Sequence, residues 1–149
     1  MRRNALGWMV IAALAGCSSS TSPSTNAIGT WNITVSRMIF VDAGITDTID
    51  VRPAPFPFVV QDTGAGSRGI FPLVYGLDAA GDTILRWGTG TALAVTATGD
   101  SLHIVFDDGT EACLLGISGT IHGNAANGHS TLSCADSMIS GGSWSATKS

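Results

Sequence analysis

The chain has 149 residues, a formal net charge of −4, and charged side chains at only 12% of its positions. Two of its seven cations, Arg2 and Arg3, stand at the extreme N-terminus, so the rest of the chain carries five cations against eleven acids. Such an acidic chain with scattered cations lacks the basic patch that nucleic acid or anionic lipid headgroups require, so neither is expected as an electrostatic partner.

The first 16 residues are built like a secretory signal peptide. Arg2 and Arg3 precede an apolar run from Leu6 to Ala15, which is shorter than the roughly 18–20 residues of a membrane-spanning helix. Leu14-Ala15-Gly16-Cys17 resembles the lipobox of bacterial lipoproteins. The resemblance implies cleavage before Cys17, acylation there, and anchoring in the cell envelope. The alternative is an ordinary signal peptide with an incidental cysteine.

The polar residues 17–27 are expected to form the lipidated cysteine and a flexible tether, which leaves residues 28–149 as one folded domain. Ser18, directly after the cysteine, favours the outer membrane, with the domain facing the periplasm or the cell surface. Plentiful Gly, Ser, Thr, Val and Ile, with few helix-forming residues, favour an all-β fold.

Alternating apolar and polar residues predict short strands along the whole domain. In chain order the candidate strands are residues 28–36, 38–41, 46–51, 58–61, 70–75, 83–87, 91–98, 101–106, 110–115, 117–122, 129–134 and 143–147. Turn residues recur roughly every 8–12 positions, which predicts a single antiparallel up-and-down β-barrel of about eight to ten strands. A β-sandwich is the alternative.

Two cysteines remain once the N-terminal one is acylated. In an oxidising compartment Cys113 and Cys134 are expected to form a disulfide, and two buried free thiols are the alternative. A three-residue turn after strand 101–106 places Cys113 opposite His103. The following hairpin places Cys134 near Ile117, so an unbroken strand would hold the two sulfurs roughly 13 Å out of register, and the disulfide requires a bend near Gly116 or Gly119.

No pattern in the sequence points to catalysis. His122 and His129 face each other if their hairpin is symmetric, but two ligands give weak metal affinity at most, and an exposed polar pair is the alternative. The acidic turn of Asp107, Asp108 and Glu111 lacks calcium-loop spacing. Nucleophile-elbow, P-loop, His-Glu-x-x-His and Cys-x-x-Cys motifs are absent from the sequence. We therefore expect neither an enzyme nor a metal or other cofactor.

Gly29-Thr30-Trp31 resembles the Gly-x-Trp signature of lipocalins and other small calycin-type barrels. In that family the tryptophan packs across one end of the barrel and a late arginine stacks on it. Here Lys148 is the residue placed to take that role, whereas the family's Thr-Asp-Tyr-like motif and C-terminal helix are missing. The hairpin-rich segments 118–130 and 141–148 also look like lipocalin-like bacterial lipoproteins. The resemblance implies a barrel that holds a small ligand.

These observations lead to one expected function and two alternatives. We expect non-catalytic binding of a small apolar or amphipathic ligand, with Trp31, Trp87 and Trp144 lining the site or, alternatively, packing in a closed core. The first alternative is a protein-interaction module, such as a periplasmic inhibitor or an envelope assembly factor. Its contact surface is then the proline-rich segment that carries Phe56 and Phe58. The second alternative is a structural lipoprotein without a ligand.

Overall fold

The computed structural model describes residues 26–42, 45–63, 67–88, 90–92, 94–107, 113–134, 137–138 and 141–149. The predicted signal peptide, Cys17, most of the predicted tether, Asp108 and Glu111 lie outside these residues. Within them the chain forms strands and turns but no helix, so none of its described segments is a helix that could cross a bilayer.

Fourteen strands account for most of the described residues. They are β1 (Gly29–Val35), β2 (Met38–Asp42), β3 (Ile45–Arg52), β4 (Phe56–Asp62), β5 (Ser67–Phe71), β6 (Val74–Leu77), β7 (Thr83–Trp87), β8 (Gly90–Thr91), β9 (Ala94–Thr98), β10 (Ser101–Asp107), β11 (Cys113–His122), β12 (Ala125–Cys134), β13 (Ser137–Met138) and β14 (Gly142–Lys148). The predicted bounds of β7 agree with these at both ends, and those of β1, β2, β3, β4, β10 and β14 agree to within two residues. The described residues of the two strands predicted at 110–115 and 117–122 belong to the single strand β11.

Eight strands form a nearly closed antiparallel barrel in the order β5-β4-β1-β14-β12-β11-β10-β9. Strand β9, at one end of this order, lies close to β5 at the other end. A Cβ on Gly69 of β5 would lie only 2.7 Å from Cγ2 of Val95 on β9. Around the barrel, neighbours follow chain order once two excursions are left out. The predicted up-and-down β-barrel is therefore confirmed.

The two excursions build a second sheet of four strands, in the order β2-β3-β6-β7. Strands β2 and β3 follow β1, and strands β6 and β7 follow β5. The buried face of this sheet joins the apolar cluster of the barrel. The residues that this face contributes to the cluster are Met38, Ile49, Val51, Val74 and Trp87. This sheet was not foreseen, because alternation identifies a strand but not the strand with which it pairs.

The predicted disulfide is present. Cys113 and Cys134 are direct partners across β11 and β12, with their Cα atoms 4.1 Å apart. The predicted glycine bend was wrong, because β11 runs unbroken from Cys113 to His122. The error lay in the register of the β11–β12 hairpin: Ile117 pairs with Ser130 rather than with Cys134, because the turn lies at Gly123 and the residue after it. The predicted pairing of Cys113 with His103 was also wrong, because His103 pairs with Ser118.

Removing this disulfide should destabilise the domain measurably. The bond links residues 21 positions apart, and on the chain-entropy model a loop of that length stabilises the folded state by about 3 kcal/mol. We expect the double variant Cys113→Ser/Cys134→Ser to lose about that much unfolding free energy in urea titrations. Wild-type protein titrated in a reductant should match the variant. An unchanged midpoint in both samples would show that the disulfide contributes nothing to stability.

Candidate functional site

The centre of the barrel is filled by the chain's own aromatic side chains. The ring of Phe106 lies 4.8 Å from Phe71, 5.5 Å from Phe58 and 5.9 Å from Phe56, each pair edge to face. All four rings are buried. An eight-stranded barrel can be filled by side chains or hold one small ligand, and here aromatic rings occupy the space between the walls.

Phe56 and Phe58 are thus not the exposed contact surface predicted for a protein partner. They are only 1% and 0% exposed, because alternate residues of β4 face inward while Pro57 between them is exposed. The prediction interpreted the proline-rich segment as an edge or loop at the surface. However, Pro57 pairs with β1, and the pairing between β4 and β5 begins only at Val59, so on that side Pro57 interrupts no ladder.

The three tryptophans are buried in separate places. Trp31 Nε1 donates a hydrogen bond of 2.8 Å to the Ala27 carbonyl, and Trp144 Nε1 donates one of 2.9 Å to the Ser118 carbonyl. Trp87 lies on β7 of the second sheet, where its Nε1 has no hydrogen-bond partner among the described residues. Each is at most 2% exposed, which agrees with the alternative in which they pack in a closed core.

Trp144 lies across two glycines. Its direct partner on β12 is Gly128, whose own partner on β11 is Gly119. The two backbones approach so closely that a Cβ on Gly119 would lie 2.0 Å from the Asn127 carbonyl oxygen, and one on Gly128 would lie 2.0 Å from that of Ser118. The indole reaches over β12 to β11, covering two strand positions that carry no side chain.

The end of the barrel where the described chain begins is closed by Trp31 and Lys148. Lys148 Nζ lies 5.5 Å from the centroid of the Trp31 ring and donates a 3.1 Å hydrogen bond to the Asn26 carbonyl. The lysine stem passes over Gly29, where a Cβ would lie 2.7 Å from Lys148 Cε and where φ is +131°. The glycine and the tryptophan of Gly-x-Trp therefore both contact Lys148, the residue that the sequence placed in the stacking role.

Removing the Lys148 charge should weaken this closure modestly. A cation over an aromatic ring at an exposed site contributes about 0.5–1 kcal/mol, and the aliphatic stem adds packing over Gly29. We expect Lys148→Met to lose about that amount of unfolding free energy, while Lys148→Arg keeps wild-type stability. Urea titrations of both variants check this. Equal stability of the methionine variant and the wild type would exclude a cation–π contribution.

The outer wall formed by β9, β10, β11, β12, β14 and β1 carries mostly hydroxyl-bearing side chains, and we call it the hydroxyl wall. Two adjacent rows of partners run across it: Thr98, Ser101, Thr120, Asn127, Ser145 and Thr34, and then Thr96, His103, Ser118, His129 and Ser143. A shallow depression of about 260 Å³ lies among them. Neither row contains Asp, Glu, Lys or Arg, so the two rows offer hydroxyl, amide and imidazole groups rather than carboxylates or cationic side chains.

The histidine pair predicted as a weak metal site is not formed. His122 pairs with Ala125 and His129 pairs with Ser118. The hairpin turn consists of Gly123 and the residue after it, so it is not centred two residues later as assumed. In the part of the chain that the structure describes, no three His, Cys, Asp or Glu side chains lie together in a way that could hold a metal ion.

The outer face of the second sheet carries a row of cations around one aromatic ring. Arg52 of β3, Tyr75 of β6 and Arg86 of β7 are direct neighbours across three strands. Beside them Arg37 binds Asp50 through two hydrogen bonds of 2.9 Å, and Arg52 Nη2 lies 4.0 Å from the same carboxylate. The hydrogen bond from Arg37 lowers the pKa of Asp50 and raises the pKa of Arg37. We call this surface the arginine face.

The same sheet exposes apolar side chains. Among the described residues, the large hydrophobic side chains that are most exposed are Ile39 and Val41 on β2 and Ile84 on β7, at 50%, 45% and 46%. Ile39 and Val41 alternate with buried Met38, so they point outward from the sheet. Sequence reasoning missed this surface, because its residues come together only through pairing between strands distant in the chain.

A second apolar surface lies on the barrel itself, outside β4 and β5. It is a shallow depression of about 280 Å³ lined by Pro57, Val59, Ile70, Phe71 and Pro72. No charged side chain lines it. It is large enough for one or two apolar side chains of another molecule, but smaller than the usual 300–1,000 Å³ of a small-molecule site.

Comparisons of the chain with protein-family models, with curated proteins and with solved structures found no match. The surfaces described above are therefore interpreted from their own chemistry.

Proposed function

We propose that this chain is a lipid-anchored, non-catalytic protein-interaction module of the bacterial cell envelope. The observation that carries the proposal is the contrast between the barrel interior and the second sheet. The interior is packed with the rings around Phe106, whereas the second sheet presents Ile39, Val41 and Ile84 outward. Ile39 and Val41 lie on one edge strand of this sheet, β2, and Ile84 lies on the other, β7; exposed apolar side chains on one sheet face favour a surface that binds other proteins.

The anchor is proposed from Leu14 to Cys17, which resemble a lipobox. We expect the wild-type chain to incorporate labelled palmitate and to sediment with membranes. Cys17→Ser should abolish both properties, since two or more acyl chains are needed for stable anchoring. Labelling that survives this substitution would contradict the proposed acylation site.

A calycin-type ligand-binding barrel is the second candidate function. It is supported by the Gly-x-Trp sequence with Lys148 over Trp31, and by Ser130, whose hydroxyl is fully buried with no partner among the described residues. Ser130 shares a row with inward-facing Ile117 and Ile104. A bound molecule with one polar group could satisfy that hydroxyl. The packed aromatic cluster makes this function the weaker of the two candidates.

Photo-crosslinking in the cells that encode the chain tests the proposal. A photoreactive phenylalanine analogue is placed at one position on each exterior surface: Thr120 on the hydroxyl wall, Pro57 on the apolar depression, or Tyr75 on the arginine face. We expect a discrete adduct with a second polypeptide from at least one position. If none of the three positions yields a protein adduct, the proposed function is wrong.

A further inference from the structure

We propose that the arginine face is the docking surface, and that its partner is a protein that presents acidic side chains around an apolar contact. This inference rests on the proposed function and deepens it. It starts from the charge distribution. Outside residues 1–16 the chain has five cations against eleven acids. Two of the five, Arg52 and Arg86, lie on one face of one small sheet, and a third, Arg37, lies beside them in the link before β2.

The acid that faces these arginines is already engaged. Asp50 accepts both hydrogen bonds from Arg37, which leaves Arg52 in longer contact with it at 4.0 Å and 52% exposed. Arg86 forms no ion pair with any residue that the structure describes. Asp78 and Asp82 stand in the turn beyond β6, where the Asp78 carboxylate accepts hydrogen bonds from backbone N–H groups of that turn. Arg52 and Arg86 on the arginine face therefore have guanidinium N–H groups available to a partner.

The spacing of these arginines favours a partner with at least two carboxylates. Arg52 and Arg86 lie on the two strands that flank β6, so their Cα atoms are roughly 10 Å apart. Tyr75 stands between them and is half-buried. A guanidinium pairs with a carboxylate through two parallel hydrogen bonds. Two such pairs on either side of an aromatic ring would fix the partner's register as well as attract it.

The apolar side chains on the same face indicate a protein rather than an acidic glycan. Ile39, Val41 and Ile84 are each about half exposed, and a sugar polymer has no large apolar group with which to cover them. Tyrosine and arginine are the residue types enriched where protein interfaces are strongest, with apolar contacts around them. The combination of Arg, Tyr and Ile on one sheet matches a protein interface.

The position of the sheet argues against docking on the chain's own membrane. The described chain begins at Asn26, beside Lys148, at the barrel end closed by Trp31. Strand β1 then runs seven residues, about 20 Å, before Arg37 and the second sheet are reached. The arginine face thus lies at the far end of β1 from the N-terminal tether, where a partner other than the anchoring membrane is accessible.

The experiment combines the photoreactive residue at Tyr75 with charge variants of the full-length chain in the cells that encode it. Arg52→Gln/Arg86→Gln removes two positive charges from the arginine face. Thr98→Glu/Thr120→Glu shifts the net charge by the same amount on the hydroxyl wall and is the matched control. We expect the adduct at Tyr75 to fall at least fivefold in the first variant and to stay within twofold in the second. Mass spectrometry should place the crosslink in a segment of the partner that contains Asp or Glu beside apolar residues.

Each contrary outcome has a distinct meaning. An adduct that both variants leave unchanged, a crosslink to glycan or lipid, or an adduct of twice the chain's mass would overturn this inference. Protein adducts at Thr120 or Pro57 but not at Tyr75 would also overturn it, while leaving the proposed function standing. Protein adducts at none of the three positions would overturn both. Urea titration of the arginine variant should give the wild-type midpoint, because both side chains are exposed.

Discussion

Gly128→Ala is expected to lower the free energy of unfolding by about 3 kcal/mol or more. A Cβ at this position would lie 2.0 Å from the Ser118 carbonyl oxygen and 2.5 Å from the Gly119 Cα. Both atoms belong to the backbone of the neighbouring strand, so the clash can be relieved only by moving β11 away from β12. That movement would also disturb Trp144, whose indole donates to the same Ser118 carbonyl.

A glycine on the same strand pair supplies the control. A Cβ on Gly116 would meet Thr131 Oγ1 at 3.0 Å, and that side chain can rotate, so Gly116→Ala should change the unfolding free energy by less than about 1 kcal/mol. Urea titrations of both variants give the comparison. Wild-type stability of Gly128→Ala would mean that the close approach of these two strands is not required for folding.

Trp31→Ala should be at least as damaging, with an expected loss of about 3–5 kcal/mol. The indole is 1% exposed, donates to the Ala27 carbonyl and lies under Lys148. Trp31→Phe keeps much of the packing but loses the hydrogen bond, so an intermediate loss is expected. Thermal and urea unfolding of the two variants measure this.

The size of the Trp31 effect also separates the two candidate functions. Truncating a tryptophan that lines a ligand cavity changes the unfolding free energy little but abolishes ligand binding. Truncating a tryptophan in a closed core lowers the unfolding free energy strongly. A loss below about 1 kcal/mol for Trp31→Ala would therefore contradict the closed core and favour the ligand-binding barrel.

Local patterns in the sequence were enough to predict the class of fold. Alternation in Gly29–Val35 and Ser101–Asp107 identifies half-buried strands, and frequent turn residues between such strands indicate an antiparallel meander. The barrel was predicted on that basis. The second sheet was not: Thr83–Trp87 was predicted as a strand with the observed bounds, but nothing in its pattern indicates that it pairs with β6 rather than with a barrel strand.

Errors in register came from turn lengths. Gly123, with φ of +63°, starts a tight two-residue turn, a conformation that favours glycine. A turn placed at that glycine pairs His122 with Ala125, and the predicted pairing of His122 with His129 is then impossible. The misplaced turn also set Cys134 opposite Ile117 instead of Cys113, and the unforeseen length of the loop after β10 set Cys113 opposite His103, which in fact pairs with Ser118. The pair itself was predicted correctly from cysteine parity, which does not depend on register.

The candidate site was the least predictable feature. Arg52, Tyr75 and Arg86 are spread over more than thirty positions of the sequence, and only the pairing of β3, β6 and β7 brings them side by side. By contrast, the segment with Phe56 and Phe58 looked like a surface because prolines surround it. Its alternate residues Phe56 and Phe58 point inward, and their rings fill part of the barrel interior.

Native mass spectrometry of the full chain, extracted from membranes in mild detergent, tests most directly whether the barrel interior is filled by its own side chains. We predict that the native mass equals the mass measured under denaturing conditions, apart from detergent and bulk lipid that leave on mild activation. A defined small molecule that stays bound after the detergent has left, and is lost only when the protein is denatured, would contradict this. Such a result would make the chain a ligand-binding barrel.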